Sequence, residues 1–408
     1  MSEKSRPLCL LYGTSPPRFC LRSHNLNFTC TPASSAGMLS SIISLLLLVV
    51  VPILTQAQTC PARGLSPWAL RRFHRLITFG DSYTDESRLQ YMIDHNGTTP
   101  SPGTFLPEST LLRTWARHVA VDTGLDLRNY AVSGAVCSNL ITPRPFPHIH
   151  GDFPSVLEYE IPAYLAERDA KHDDYGQHIY EPPFDSTAAV FALMVGTNDF
   201  GNIAFLTDSQ VAGKVLRDYT QCLFDVMDRL YASGARHFLL FNTMPLHLAP
   251  QYANDTLHGR PATRYWPDKP SNLTAIAIKM LQQTTSANEI LLYQTVYEVL
   301  VAKRYPRAHV ALFDLFELIS DIYADPAQYL NRSVLTKASD YEHHCDVAGE
   351  VCAYEYDHAY PDSFMWWDEL HPSGKMHEII AQEVAQVLEG QSRYASYWSD
   401  GADGRQTG

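Results

Sequence analysis

Leu76-Ile77-Thr78-Phe79-Gly80-Asp81-Ser82-Tyr83 is a short apolar run broken abruptly by a Gly-Asp-Ser turn. A buried strand that turns sharply at its end leaves such a serine hydroxyl exposed, which is one way a fold presents a nucleophile. Gly, Asp and Ser are also ordinary turn formers, and the serine could equally cap a following helix. Four more apolar runs follow, at 127–132, 188–195, 237–242 and 309–313. Between them lie helix-patterned segments at 110–122, at 209–233 with Asp208 as its cap, and at 272–303. A last one, 373–388, opens after Pro372 and stops at Gly390. Continuously apolar strands separated by helices predict an α/β fold on a parallel sheet covered on both faces. With no internal repeat, long loops at 85–108, 142–180 and 246–271 account for the length, so one domain over residues 58–390 is expected. The polar, Gly- and Ser-rich tail 391–408 reads as disordered.

Open parallel sheets bind ligands outside the carboxyl ends of their strands. Ser82 follows the first run, Gly134 the second and Asn198 the third, while Asp368 and His371 lie in the loop before the final helix. The pattern alone therefore brings five residues to one sheet edge. Their blocks run in order: Phe79-Gly80-Asp81-Ser82-Tyr83, Asn129-Tyr130-Ala131-Val132-Ser133-Gly134-Ala135, Gly196-Thr197-Asn198-Asp199 and Asp368-Glu369-Leu370-His371-Pro372. Together they resemble the four blocks of the GDSL, or SGNH, family of serine hydrolases. The resemblance spans residues 75–390 and implies a three-layer α/β/α, flavodoxin-like domain. It also implies a triad of Ser82, His371 and Asp368 and no cofactor. The implied oxyanion donors are the N–H groups of Ser82 and Gly134 and the amide of Asn198. The second block is often Gly-Gly in the family; here Ser133 precedes Gly134, which leaves the N–H donor unaffected.

The residue types suit that chemistry. Ser82 needs a base, and Asp-x-x-His in one turn lets Asp368 reach one imidazole nitrogen while the other faces the serine. A helix beginning after Pro372 disfavours imidazolium, and Asp368 must offset that. Oxyanion donors are each worth on the order of 100- to 1000-fold in rate. Taken singly, His371 could merely cap a helix, Gly134 could serve a tight turn and Asn198 a loop. Asp81 reads as a loop-bracing carboxylate. No Gly-x-Ser-x-Gly elbow occurs, which disfavours an ordinary α/β-hydrolase.

The chain carries 31 Lys and Arg against 44 Asp and Glu, a formal charge of -13. That balance argues against nucleic acid and against stable association with an anionic membrane. Residues 39–53 (LSSIISLLLLVVVPI) are too short for a membrane span, which needs about 20 residues. With Thr55 and Ala57 after them they read as a secretory signal running from Met38 to residue 57. Residues 1–37 then read as an upstream extension, the rival being a signal anchor with Arg18 and Arg22 before it. Four sequons, at Asn96, Asn254, Asn272 and Asn331, suit a secreted glycoprotein. In an oxidising compartment Cys345 and Cys352 are the natural disulfide and Cys137 with Cys222 a plausible second, leaving Cys60 over. His343, His344 and His358 nearby invite a zinc site, but the cysteine spacing matches no common zinc pattern, and no metal is expected.

Within the family, the phrases Phe79 to Asp85 and Gly196 to Gly201 look most like secreted fungal members of carbohydrate esterase family 16, which remove acetyl groups from plant-wall oligosaccharides. The implied substrate is a small ester or an acetylated oligosaccharide. Trp115, Phe200, Trp366 and Trp367 are candidate sugar contacts, although large aromatics more often pack a core. The alternatives are a lipase or phospholipase for longer acyl chains and a catalytically silent glycan-binding protein. Oligomeric state is not legible.

Overall fold

Leu76, Ile77, Thr78 and Phe79 have no solvent exposure in strand β1 (Arg75–Gly80), so successive side chains are covered on both faces of the sheet. A computed structural model describes residues 66–109, 112–146, 151–170, 185–330, 337–355 and 359–400. In it β1 pairs in parallel with β2 (Asp126–Asn129) on one side and β3 (Ala189–Met194) on the other. β4 (His237–Phe241) and β5 (His309–Phe313) continue the parallel array. β6 (Ala395–Ser399) closes it antiparallel to β5. The order β2-β1-β3-β4-β5-β6 leaves β2 at one edge and β6 at the other and puts the switch in winding direction beside β1. Every residue of β3 and β4 is buried, which is why these runs are apolar without alternation.

The described helices of seven or more residues are α1 (Arg88–Asp94), α2 (Trp115–Thr123), α3 (Ile161–Asp169), α4 (Leu216–Ala232), α5 (Leu273–Val296), α6 (Leu315–Ala324) and α7 (Gly374–Leu388). α2 lies against α7, α3 against α4, and α4 against α5. Local chemistry fixes their ends. Thr114 caps α2 by accepting the Arg117 N–H, Gly124 ends it in the left-handed region, and Ser373 caps α7 through the Met376 N–H.

Three expectations need correction. The tail is not disordered from residue 391: Ala395–Ser399 pairs along the whole of β5, and Tyr394 is buried. The helix expected from Ser209 starts only at Leu216, and Asp208 is not its cap but a left-handed residue. The 85–108 and 142–180 loops contain α1 and α3. The signal region, Cys60, Asn331, His358 and residues 401–408 lie outside the described residues, as do the first two residues of the 110–122 helix.

Both expected disulfides are present. Cys137–Cys222 ties the segment after β2 to α4, and Cys345–Cys352 closes a hairpin in which His343–Cys345 pairs antiparallel with Cys352–Tyr354. Asn96 and Asn272 are exposed, whereas Asn254 is half-buried and its side-chain oxygen accepts the Leu257 N–H. Among the described residues no helix is long and apolar enough to cross a membrane.

Candidate active site

Gly80 ends β1 at φ 146°, and a Cβ there would stand 1.9 Å from the Met194 carbonyl oxygen. Only glycine lets β1 run this close to β3 and then turn. The turn lifts Ser82 to partial exposure between buried Asp81 and buried Tyr83. Tyr83 donates its hydroxyl to the Leu370 carbonyl at 2.8 Å, which ties the serine turn to the loop carrying His371 across 287 residues of sequence.

His371 Nε2 lies 2.9 Å from Ser82 Oγ. Its Nδ1 lies 2.9 and 3.0 Å from the two carboxylate oxygens of Asp368. The imidazole sits edge-on to the rings of Tyr83 and Tyr265. Asp368 is buried and fully engaged. It accepts the N–H groups of Leu370 and His371, the Tyr265 hydroxyl at 2.7 Å and the Arg264 guanidinium at 2.6 Å. Burial pushes its carboxyl toward protonation, but the charge and hydrogen bond of His371, with the Tyr265 bond, outweigh it. The carboxyl is held well below its ordinary range. For His371, burial opposes the charged ring; Asp368, with Asp81 behind, outweighs burial and raises it above the ordinary imidazole value, while Arg264 pulls the other way.

Gly134 lies in the turn after β2 at φ 92°, where a Cβ would come within 3.0 Å of the Phe153 ring. Asn198, after β3, donates Nδ2 to the Ala135 carbonyl at 2.9 Å, which leaves its second amide hydrogen for a ligand. Arg144 fixes that orientation, donating to Asn198 Oδ1 at 2.6 Å and to the Gly134 carbonyl at 2.7 Å. Among the described residues no acceptor takes the N–H of Ser82 or of Gly134. Ser82, Ser133, Gly134, Asn198 and His371 are partly exposed amid otherwise buried neighbours.

Buried carboxylates brace this edge from beneath. Glu160 accepts the N–H groups of Gly80 and Val132, and Asp85 accepts that of Ser133 as well as three at the start of α1. Asp199 takes the Cys137 N–H and the Thr142 hydroxyl. Burial raises Asp81 to about 6, Asp199 to about 7 and Glu160 well above its ordinary value.

Of the four candidate aromatics only Trp367 lines the cleft of about 580 Å³ that holds Ser82 and His371. Trp115 is buried and donates its indole N–H to Thr84, Phe200 packs on Phe205 and Tyr219, and buried Trp366 donates to the Ala338 carbonyl. These three are core, as their apolar bulk favours. The histidine and cysteine cluster of His343, Cys345 and Cys352 has its two sulfurs bonded to each other. Arg144, Arg264 and Tyr265 come from long loops without periodicity, and no local pattern marked them.

An oriented imidazole between a serine hydroxyl and a buried carboxylate, with N–H donors alongside, is the arrangement serine hydrolysis requires. The GDSL-like Lipase/Acylhydrolase family model matches residues 76–384, and the chain belongs to that family. It is a carboxylic ester hydrolase. It is 37% identical over 331 residues to an acetylesterase of Hypocrea jecorina, covering 80% of this chain and 92% of that protein. A thermolabile hemolysin of Vibrio parahaemolyticus is 24% identical over 80% of this chain and 66% of its own length. The solved structure of Axe2, an acetylxylan esterase from Geobacillus stearothermophilus, aligns at TM-score 0.36 and 14% identity, covering 78% of this chain and 93% of that one.

Proposed function

We propose that this protein is a secreted esterase that removes short acyl groups, foremost O-acetyl groups on plant-wall oligosaccharides, through an acyl-enzyme on Ser82. The observation that carries the mechanism is the unbroken chain Ser82 Oγ–His371–Asp368 at 2.9 Å on either side of the imidazole. Ser82 passes its proton to His371 Nε2 as Oγ adds to the acyl carbonyl. The N–H groups of Ser82 and Gly134 and the Asn198 amide receive the oxyanion. His371 then returns the proton to the departing alcohol, and a water deprotonated by the same nitrogen releases the acid. Asp368 keeps the Nδ1 proton in place and offsets the imidazolium charge.

The acetyl preference draws on the Hypocrea jecorina relative and on the acidic chain, which disfavours anionic lipid. Secretion draws on two disulfides, the sequons and the 39–53 apolar run. Ser82→Ala and His371→Ala should each abolish hydrolysis of nitrophenyl acetate, by at least roughly 10⁴-fold, with Asp368→Asn retaining more. A folded Ser82→Ala enzyme with near wild-type turnover removes the assignment. Offering acetylated xylo-oligosaccharides beside octanoyl esters tests the substrate. A rate that climbs with acyl length favours a lipase instead.

A further inference from the structure

We propose that the disulfide-closed hairpin beside the cleft supplies, through His343 and Tyr354 together with Trp367, the subsite that holds the sugar carrying the acetyl group. This rests on the acetylated-oligosaccharide reading above. The His343 ring stacks on the Trp367 indole, centroids 5.0 Å apart and planes at 12°. Tyr354 meets the same indole at 5.5 Å and the His343 ring at 4.9 Å. All three line the cleft that contains Ser82 and His371.

The wall is anchored to the reacting groups rather than loosely beside them. Trp367 donates its N–H to the His371 carbonyl and accepts the His343 N–H, both at 2.7 Å. Arg264 bridges the two parts, lying 3.3 Å from Cys345 Sγ and 2.6 Å from Asp368 Oδ2. The Cys345–Cys352 bond closes the short loop between the two hairpin strands and so limits the freedom of the side chains it carries. Rings that served only to pack the hairpin would be covered, whereas Tyr354 is 41% exposed. Pyranose rings present C–H faces to aromatic surfaces and hydroxyls to polar ring edges, and His343 and Tyr354 offer both. A neutral sugar needs no charged anchor, and burial with the nearby Arg264 lowers the His343 pKa, favouring the neutral ring.

The test compares full-length wild type, Tyr354→Ala, Tyr354→Phe and His343→Ala on acetylated xylobiose and on ethyl acetate, which has no sugar. Each alanine variant should lower the ratio of the two kcat/KM values about three- to tenfold, through KM for the sugar ester. Tyr354→Phe should restore most of it. Equal losses on both substrates, or an unchanged ratio, would overturn the subsite. Wild type that cleaves ethyl acetate but frees no acetate from the sugar removes the acetylated-oligosaccharide reading and the subsite with it, a result distinct from failure in the variants alone.

Discussion

Arg264 places a guanidinium 2.6 Å from the carboxylate that orients His371, so one positive charge acts on both members of the pair. The proposed reaction needs the neutral imidazole, so activity should be lost as pH falls through the His371 pKa, which lies above its ordinary value. Arg264 disfavours the imidazolium, whereas Asp368 and Asp81 favour it. Tyr83 and Tyr265 also face the ring, and Glu369 lies next to Asp368. Removing the guanidinium in Arg264→Met should therefore raise the His371 pKa and move the acid limb of kcat/KM to higher pH. The rate should fall more at pH 6 than at pH 8, because Tyr265 and two backbone N–H groups still hold Asp368. A uniform loss across pH, or a limb that moves down, means that Arg264 acts only by packing. Ser82, Asp368 and His371 could be picked out of the sequence because they sit in two short motifs, Gly-Asp-Ser at the end of a strand and Asp-x-x-His just before the last helix. The sequence did not expose Arg264, Tyr265 or Arg144, because a residue that orients another needs only to arrive in space. The tryptophans misled for a related reason: an indole next to a motif is close in sequence, yet Trp366 points into the core and Trp367 into the cleft.

Four of the parallel strands, β1, β3, β4 and β5, were legible because burial on both faces imposes an apolar run, whereas β2 at the sheet edge is only partly buried. Strand β6 was not, since an antiparallel edge strand covered on one face reads as Ala-Ser-Tyr-Trp-Ser, a polar tail with two aromatics. α1, seven residues long, offers too few turns for a period to stand out, and α3 lies within the Pro-containing 142–180 stretch read as loop. The edge strand matters to the sheet. It satisfies the outer hydrogen-bonding groups of β5 and packs half-buried Tyr397 and Trp398 against the core. A chain ending at Gly390 loses both rings and leaves β5, buried and apolar from Val310 to Phe313, with an open edge. At about 25 cal/mol per Å² of apolar area, roughly 3–5 kcal/mol of stability should go with it, read as a lower denaturant midpoint and a stronger tendency to aggregate. An unchanged midpoint would show that β6 is an ornament of the fold.

At the scale of the whole molecule, buried titratable groups of opposite sign set how stability depends on pH. His237 and His247 are lowered to about 4 and His377 to about 3, chiefly by burial, from an ordinary value of 6.5. Between pH 4 and 6.5 the unfolded chain binds these protons and the folded one does not, so they make stability rise with pH. Asp81, Asp199 and Glu160 act in reverse. Raised by burial to about 6, about 7 and well above the ordinary value, they keep protons in the fold that the unfolded chain has lost, so stability falls as pH rises. Three rising and three falling contributions nearly cancel, each worth about 1.4 kcal/mol per pH unit where it applies. Above pH 6.5 the histidines are neutral and Asp81 is ionised in both states, so Asp199 and Glu160 are the falling contributions left, joined by the raised His371 and by repulsion within a chain of formal charge -13. Below pH 4 the unfolded chain protonates the Asp368 carboxyl while the fold, pairing it with His371, keeps it ionised, so stability falls as pH falls. The melting temperature should accordingly show a plateau from about pH 4 to 6.5 and fall on both sides. Asp199→Asn keeps an oxygen for the Cys137 N–H while removing one falling contribution, so its melting temperature should drop less between pH 5 and 7.5 than that of wild type. Calorimetry across pH 3–9 on both proteins checks this. A wild-type maximum above pH 8, or parallel profiles for the two, would mean that these carboxyls are ionised in the fold.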